Sequence, residues 1–168
     1  MGTKEGCGEG DCGACTVIIG KRTSKGIVYR AINSCIYPVI KIHGHHIITI
    51  EGISEDGTLD EMYECIVRHG GVQCGFCSPG FVMSIVAYLL NADSPNVDDF
   101  KMALVGNLCR CTGYQPFIDA FRDIVNTFKK PSVFDVNWSI TEGPVSVSYT
   151  HLRAHETRHD LVCRLLLE

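Results

Sequence analysis

From Phe81 to Leu90 almost every position is apolar: Phe81, Val82, Met83, Ile85, Val86, Tyr88, Leu89 and Leu90. A helix on a surface shows one apolar stripe, so this run predicts a helix buried on nearly all sides. Ser78 and Pro79 mark its start, the serine as a side-chain cap and the proline with the fixed φ of a first helical position. Elsewhere the periodicity changes along the chain. Thr16 to Ile19, Ile27 to Ile32 and Ile47 to Ile50 read as short strands, with a polar turn over Lys21 to Gly26.

Strand periodicity stops at Glu51, and Glu51 to Gly57 reads as a linker. Beyond it the pattern is helical. Thr58 and Glu61 suit a capping box, Leu59, Met62, Cys65, Ile66 and His69 share a face, and Gly70 with Gly71 ends that helix. Asn96 and Asp99 open another that stops near Gly106. Pro116 opens the last, with a stripe of Phe117, Ile118, Phe121, Ile124, Val125 and Phe128 that ends at Lys129 and Lys130.

The chain has 168 residues, 45% of them hydrophobic, enough for one ordinary domain or two small ones. A net charge of -4 leaves no basic footprint for nucleic acid or an anionic membrane. The longest apolar run is far shorter than the ~20 residues of a membrane helix, and no secretory pattern opens the chain. A cytoplasmic location is the default. Ten cysteines without an export signal point to metal rather than disulfides.

Their spacing sharpens this. Cys7, Cys12 and Cys15 stand in C-x4-C-x2-C order, followed by Cys35, the arrangement of plant-type ferredoxins. Gly6, Gly8, Gly10 and Gly13 interleave with them, as in a loop that turns its amides toward sulfur. Cys74 and Cys77 precede the buried helix, and Cys109 and Cys111 precede the last one, so helix amino ends would face a second set of four thiols. C-x-C is an unusual zinc spacing, which favours iron and sulfide, although a zinc-stabilised structural module remains the competing reading. Cys65 lacks a thiol at loop-compatible spacing and reads as a core residue. His43, His45 and His46 surround Gly44 in what reads as a solvated turn, and no role is assigned to them. No nucleophile–base pair or phosphate loop is evident, so no catalytic residue is assigned to this chain.

The stretches KEGCGEGDCGACTV, INSC, QCGFCSPG and GNLCRCTGYQPF resemble the iron–sulfur subunit or domain of the xanthine dehydrogenase and aldehyde oxidase family of molybdenum hydroxylases. The resemblance covers residues 2 to about 129 and is strongest toward bacterial xanthine dehydrogenase. It implies an α+β fold: a ferredoxin-like β-grasp domain over residues 1–53, then an all-α four-helix domain over 54–130, with a linker at 131–144. It implies two [2Fe-2S] clusters, one on Cys7, Cys12, Cys15 and Cys35, the other on Cys74, Cys77, Cys109 and Cys111. It further implies a large partner subunit carrying molybdopterin, approached by Gln73 and Cys111, and a FAD-binding subunit or domain that receives the electrons. Gly113 and Tyr114 match the motif without a derivable role.

Two departures from the family pattern stand out. The hairpin and helix that precede the glycine loop in the family have no counterpart before Cys7, so the first domain is expected to be incomplete and its cluster labile. Residues 145–168 shift abruptly in composition and resemble a non-native, adapter-derived tail. Within it His155, Glu156 and His159 spell H-E-x-x-H, a zinc-peptidase pattern, but only nine residues follow and none supplies a third ligand or a pocket. That match is read as chance, which leaves a self-standing two-cluster electron carrier as the main alternative to a hydroxylase subunit.

Overall fold

The computed structural model describes residues 2–53, 59–130 and Phe134. Three strands form an antiparallel sheet in the order β2-β1-β3: β1 Thr16–Thr23, β2 Gly26–Asn33 and β3 His46–Ile48. Single 3₁₀ turns at Ser34–Ile36 and Val39–Ile42 lead from β2 to β3. Five helices follow, α1 Ile50–Ile53, α2 Asp60–Arg68, α3 Ser78–Asn91, α4 Val97–Ala103 and α5 Gln115–Thr127. The result is a small α+β molecule in which, among the described residues, no helix is long and apolar enough to cross a membrane.

Strand β1 runs longer than its alternation suggests. Lys21, Arg22 and Thr23 continue the ladder opposite Val28, Ile27 and Gly26, leaving only Ser24 and Lys25 in the turn. Thr23 closes it, its hydroxyl accepting from the Lys25 amide and donating to the Gly26 carbonyl, while Gly26 takes a positive φ of 121°. Pairing with β2 overrides the polar character of these residues, as it often does at an exposed hairpin.

The region expected to be a linker begins as structure. Ile50 and Ile53, both buried, anchor the one-turn helix α1, and the Glu51 carboxylate accepts from the Gly2 amide at 2.7 Å. Burial alone would raise the Glu51 pKa, but hydrogen bonds from its own amide, the Gly2 amide, the Thr49 hydroxyl and the Thr3 amide outweigh it and lower the value. Thr58, the capping-box residue, lies outside the described residues, as do 145–168 with their H-E-x-x-H string. His46 also departs from expectation: it is buried in β3 with Nδ1 3.5 Å from the Tyr29 hydroxyl, and burial lowers its pKa. His43 stays exposed and His45 half-buried.

One core joins sheet and helices. Ile18, Tyr29 and Ile48 from the sheet belong to the same apolar cluster as Phe81, Val82, Ile85 and Val86 of α3. Helix α3 lies against β1 and β2, and Asn91 near its end donates to the Tyr29 carbonyl at 2.6 Å. Its burial from Phe81 through Ala87 matches the all-round apolar pattern. Helix α5 packs on α2 and α4. Phe117 stacks on Phe81 at 4.2 Å and Phe100 on Phe121 at 4.1 Å, so aromatic pairs carry the contacts between α3, α4 and α5. Phe117 has no exposed surface. Truncating it to alanine is expected to cost about 3–5 kcal/mol, measured as a shift in the denaturant midpoint.

Asn96 caps α4 as its sequence position implies, its side chain accepting from the Asp99 amide at 2.9 Å. Ser78 does not cap α3. Cys77 occupies the cap position, and the buried Ser78 hydroxyl has no hydrogen-bond partner. The helix starts one residue earlier than Pro79 requires, which draws Ser78 into its first turn.

Candidate metal centres

The glycine loop carries the first set of thiols. Gly8, Gly10 and Gly13 adopt positive φ values of 68°, 79° and 70°, which side chains disfavour. This winding turns the amides of Glu9, Asp11 and Cys12 onto Cys7 Sγ at 3.5, 3.4 and 3.4 Å. Those donors, led by Glu9, lower the Cys7 thiol to about 6, so it is set up as a thiolate. Space is equally tight, since a Cβ on Gly6 would lie 2.9 Å from Cys12 Sγ.

Cys15 ends the loop, and Cys35 arrives from the far end of β2. Ser34 ties the two segments together, its hydroxyl donating to the Cys15 carbonyl at 2.8 Å, and Asn33 donates to the Gly10 carbonyl. The Cys35 amide meets Cys15 Sγ at 3.5 Å. Burial, then the thiol of Cys15, pushes Cys35 up to about 11. Sheet register therefore closes the first quartet: β2 returns along β1 from Gly26 opposite Thr23 to Asn33 opposite Thr16, beside Cys15.

The second quartet is built from two loops. Cys74 and Cys77 lie before α3, Cys109 and Cys111 before α5, and Cys111 Sγ sits 3.6 Å from Cys74 Sγ. The Phe76 amide lowers the Cys74 thiol. Burial would raise Cys109, but the Thr112 hydroxyl at 3.1 Å and the amides of Thr112 and Cys111 bring it down. Cys77 goes the other way, to about 12, through burial and the thiol of Cys109. Cys111 is raised chiefly by Cys74. Among the described residues the donors to these sulfurs are loop amides, the Thr112 hydroxyl and the Cys111 thiol, not the first turns of α3 and α5. Short C-x2-C and C-x-C turns hold their own amides nearer to sulfur than a following helix can.

Tyr114, which carried no role in the sequence, holds the second loop. Its hydroxyl accepts from the Cys109 amide at 3.0 Å, and its φ of 69° is the left-handed conformation, unusual for a non-glycine residue. Gln73 and Cys111 are both exposed beside the second quartet. A cavity of about 330 Å³ is lined by Cys7 and Cys12 of the glycine loop and by Cys74, Cys77, Cys109 and Cys111, with Phe76 and Arg110. Arg110 adds a cationic side chain to the amide donors around this cavity.

These donor sets fit metal–sulfur centres. In the first set Cys7 is held low and Cys35 pushed high, and in the second Cys74 and Cys109 are held low while Cys77 and Cys111 are raised, a mix that a bound cation would turn to thiolate. None of these cysteines is in a disulfide. Apart from these thiols, Cys65, His69 and Asp123 bring ligand atoms within 4.8 Å of one another. Those residues are already occupied: the Cys65 thiol, fully buried, donates to the Ala120 carbonyl, and Asp123 is shared by His69 at 3.1 Å and Arg68 at 3.7 Å. Cys65 is a core residue, as its helix face implies.

Comparison with known proteins agrees with this chemistry. Residues 49–122 match the family model described as "[2Fe-2S] binding domain". Xanthine dehydrogenase 2 of Arabidopsis thaliana is 49% identical over 125 residues, 72% of this chain and 9% of the relative. The xanthine dehydrogenase/oxidase of Rattus norvegicus is 48% identical over 123 residues, with the same coverage. Among solved structures, quinoline 2-oxidoreductase from Pseudomonas putida 86 superposes with a TM-score of 0.60 at 35% identity, over 74% of this chain and 72% of that one. Aldehyde oxidoreductase from Desulfovibrio gigas gives a TM-score of 0.62 at 34% identity, over 83% of this chain and 15% of that one. The chain belongs to the iron–sulfur part of the xanthine dehydrogenase and aldehyde oxidase family of molybdenum hydroxylases. It spans about a tenth of the length of the curated relatives it matches.

Proposed function

We propose that this chain is the electron relay of a xanthine dehydrogenase-like complex, holding one [2Fe-2S] cluster on Cys7, Cys12, Cys15 and Cys35 and a second on Cys74, Cys77, Cys109 and Cys111. In this reading residues 1–53 form the ferredoxin-type unit and 54–130 the helical one. Substrate is transformed on a molybdopterin-bearing partner, and electrons leave toward FAD on another subunit or domain. Each cluster, when bound, accepts and releases one electron, with a formal charge of about -2 that becomes about -3 on reduction. The protein's part is to hold four thiolates per centre and to oppose that charge. The amides of Glu9, Asp11 and Cys12 do so at the first centre, and those of Phe76, Cys111 and Thr112 at the second.

The observation that carries the reading is that Cys7 and Cys12 of the glycine loop line one cavity together with Cys74, Cys77, Cys109 and Cys111 of the two later loops. Two one-electron centres so arranged suit chemistry that yields electrons in pairs on one side and passes them singly. Gln73 and Cys111 are assigned the face toward the pterin because both are exposed beside the second centre. Phe76, Leu108, Val105 and Met102 leave large apolar surface exposed in the same part of the chain, with Phe76 and Leu108 lining the cavity itself. Such a surface favours a docked subunit over a self-standing carrier.

Anaerobic reconstitution with iron and sulfide tests the proposal. The expected product contains iron and acid-labile sulfide in equal amounts, absorbs as a ferric-sulfide protein and bleaches on reduction. Zinc bound in place of iron, without sulfide, would instead establish a structural module. Purification of the intact complex decides between subunit and free carrier through the presence or absence of a molybdenum-containing chain.

A further inference from the structure

Between the two quartets lies a buried polar group that no ligand assignment uses. Asn107, 5% exposed, stands two residues before Cys109 and hydrogen-bonds to three other parts of the molecule. Its Nδ2 donates to the Gly13 carbonyl at 3.2 Å and to Thr16 Oγ1 at 3.3 Å, while its Oδ1 accepts from the Ser84 hydroxyl at 2.6 Å. Gly13 lies between Cys12 and Cys15 in the first metal loop, and Ser84 sits in α3, whose start carries Cys77. The next residue completes the link: the Leu108 amide donates to the Cys12 carbonyl at 2.9 Å. Glycine on both sides makes the approach possible. A Cβ on Gly80 would lie 2.1 Å from the Gly13 carbonyl oxygen, and one on Gly13 would lie 2.3 Å from the Gly106 carbonyl oxygen.

We infer that Asn107 is a positioning residue for transfer between the two centres, fixing the spacing and mutual orientation of the loops that carry Cys12 and Cys109. The inference rests on the two-cluster reading. Its physical basis is that a buried amide whose donors and acceptor are all engaged has one orientation, and each of its partners belongs to a ligand-bearing element. Spacing matters because electron exchange between two centres falls steeply with separation. Asn107 hydrogen-bonds to Ser84, Gly13 and Thr16 and not to a sulfur, so it acts through Gly13 and through the Leu108–Cys12 link rather than by tuning a ligand.

The test uses the full chain with both centres reconstituted. Removing one polar partner would strand the other in the interior, whereas replacing both by apolar groups is close to neutral for stability. The double variant Ser84→Ala/Asn107→Leu is therefore expected to fold and to keep its iron and sulfide. Its fully reduced form should show an altered magnetic splitting between the two centres in low-temperature EPR. Amide exchange at Leu108 should accelerate on the order of tenfold or more. Native splitting together with native exchange in that variant overturns the inference. If the double variant fails to take up iron, Thr16→Val removes one of the two Asn107 acceptors at nearly constant shape, and unchanged splitting there overturns the inference equally. Native protein with iron in only one quartet shows no splitting, and overturns the two-cluster reading and this inference together before any variant is compared.

Discussion

Cys77→Ser is expected to remove about half of the bound iron and sulfide while leaving the remaining centre spectroscopically unchanged, the outcome for loss of one of two independent thiolate sites. The reasoning starts from the thiol itself. Cys77 is half-buried against Cys109, and burial with neighbouring sulfur pushes its proton affinity up to about 12. Only a metal ion supplies enough local positive charge to hold that sulfur as thiolate near neutral pH. A serine hydroxyl is a harder, far less acidic group and does not replace it. Cys12→Ser should remove the complementary half, since Cys12 belongs to the glycine loop. Cys65→Ala is the control: its thiol is buried with a donor contact to Ala120, so the variant loses stability but no iron. Iron and sulfide analysis with visible absorption distinguishes these cases. If Cys12→Ser and Cys77→Ser each abolish all the bound iron, or remove the same EPR signal from the reduced protein, the quartets are not separate centres.

Gly80→Ala is expected to be strongly destabilising, although it adds a single methyl. In an ordinary helix interior the change would stabilise by up to ~1 kcal/mol. Here the new Cβ would stand 2.1 Å from the Gly13 carbonyl oxygen and 3.2 Å from Asn107 Nδ2. The first of these is backbone in a loop already wound through glycine at positive φ, so it has no rotamer by which to yield. Helix and loop must separate, at an overpacking cost of about 1–3 kcal/mol or more, which reverses the sign set by helix propensity. Differential scanning calorimetry should show a lower Tm, and iron in the first quartet should become easier to chelate. Gly106→Ala provides the contrast, because nothing lies within 4 Å of its Cβ position and its φ is not positive. A Gly80→Ala protein as stable as native would mean that α3 does not abut the metal loop.

Local chemistry made much of this molecule readable from its residues. The thiol spacings pointed to metal loops because a ligand loop is short and its geometry is written in neighbouring glycines and cysteines. The uninterrupted apolar run of α3 and the Asn96 cap of α4 were likewise local signals. What escaped was set by contacts distant in sequence. His46 looked like one of three turn histidines, and only the pairing of β3 with β1 buries it beside Tyr29. Ile50 looked like the end of a strand and Glu51 to Ile53 like linker, because a single helical turn has too few residues to show a period. Ser78 had the right identity for a cap, yet the helix begins one residue too early for it to act as one. Asn107 and Tyr114 sit in plain view within the second cysteine motif, but their partners are Gly13, 94 residues away, and the backbone of Cys109. No periodicity or propensity announces a hydrogen bond of that kind.

The link from Leu108 to the Cys12 carbonyl bears on how the protein is made. A ribosome releases the first cysteine loop long before it adds the segment that braces it, and α3, the cover for Ile18 of β1, emerges in between. Pairings so remote in sequence form late and slowly. In the two-cluster reading, cofactor delivered to the nascent glycine loop would meet an unbraced site, so its loading would follow translation of residue 108.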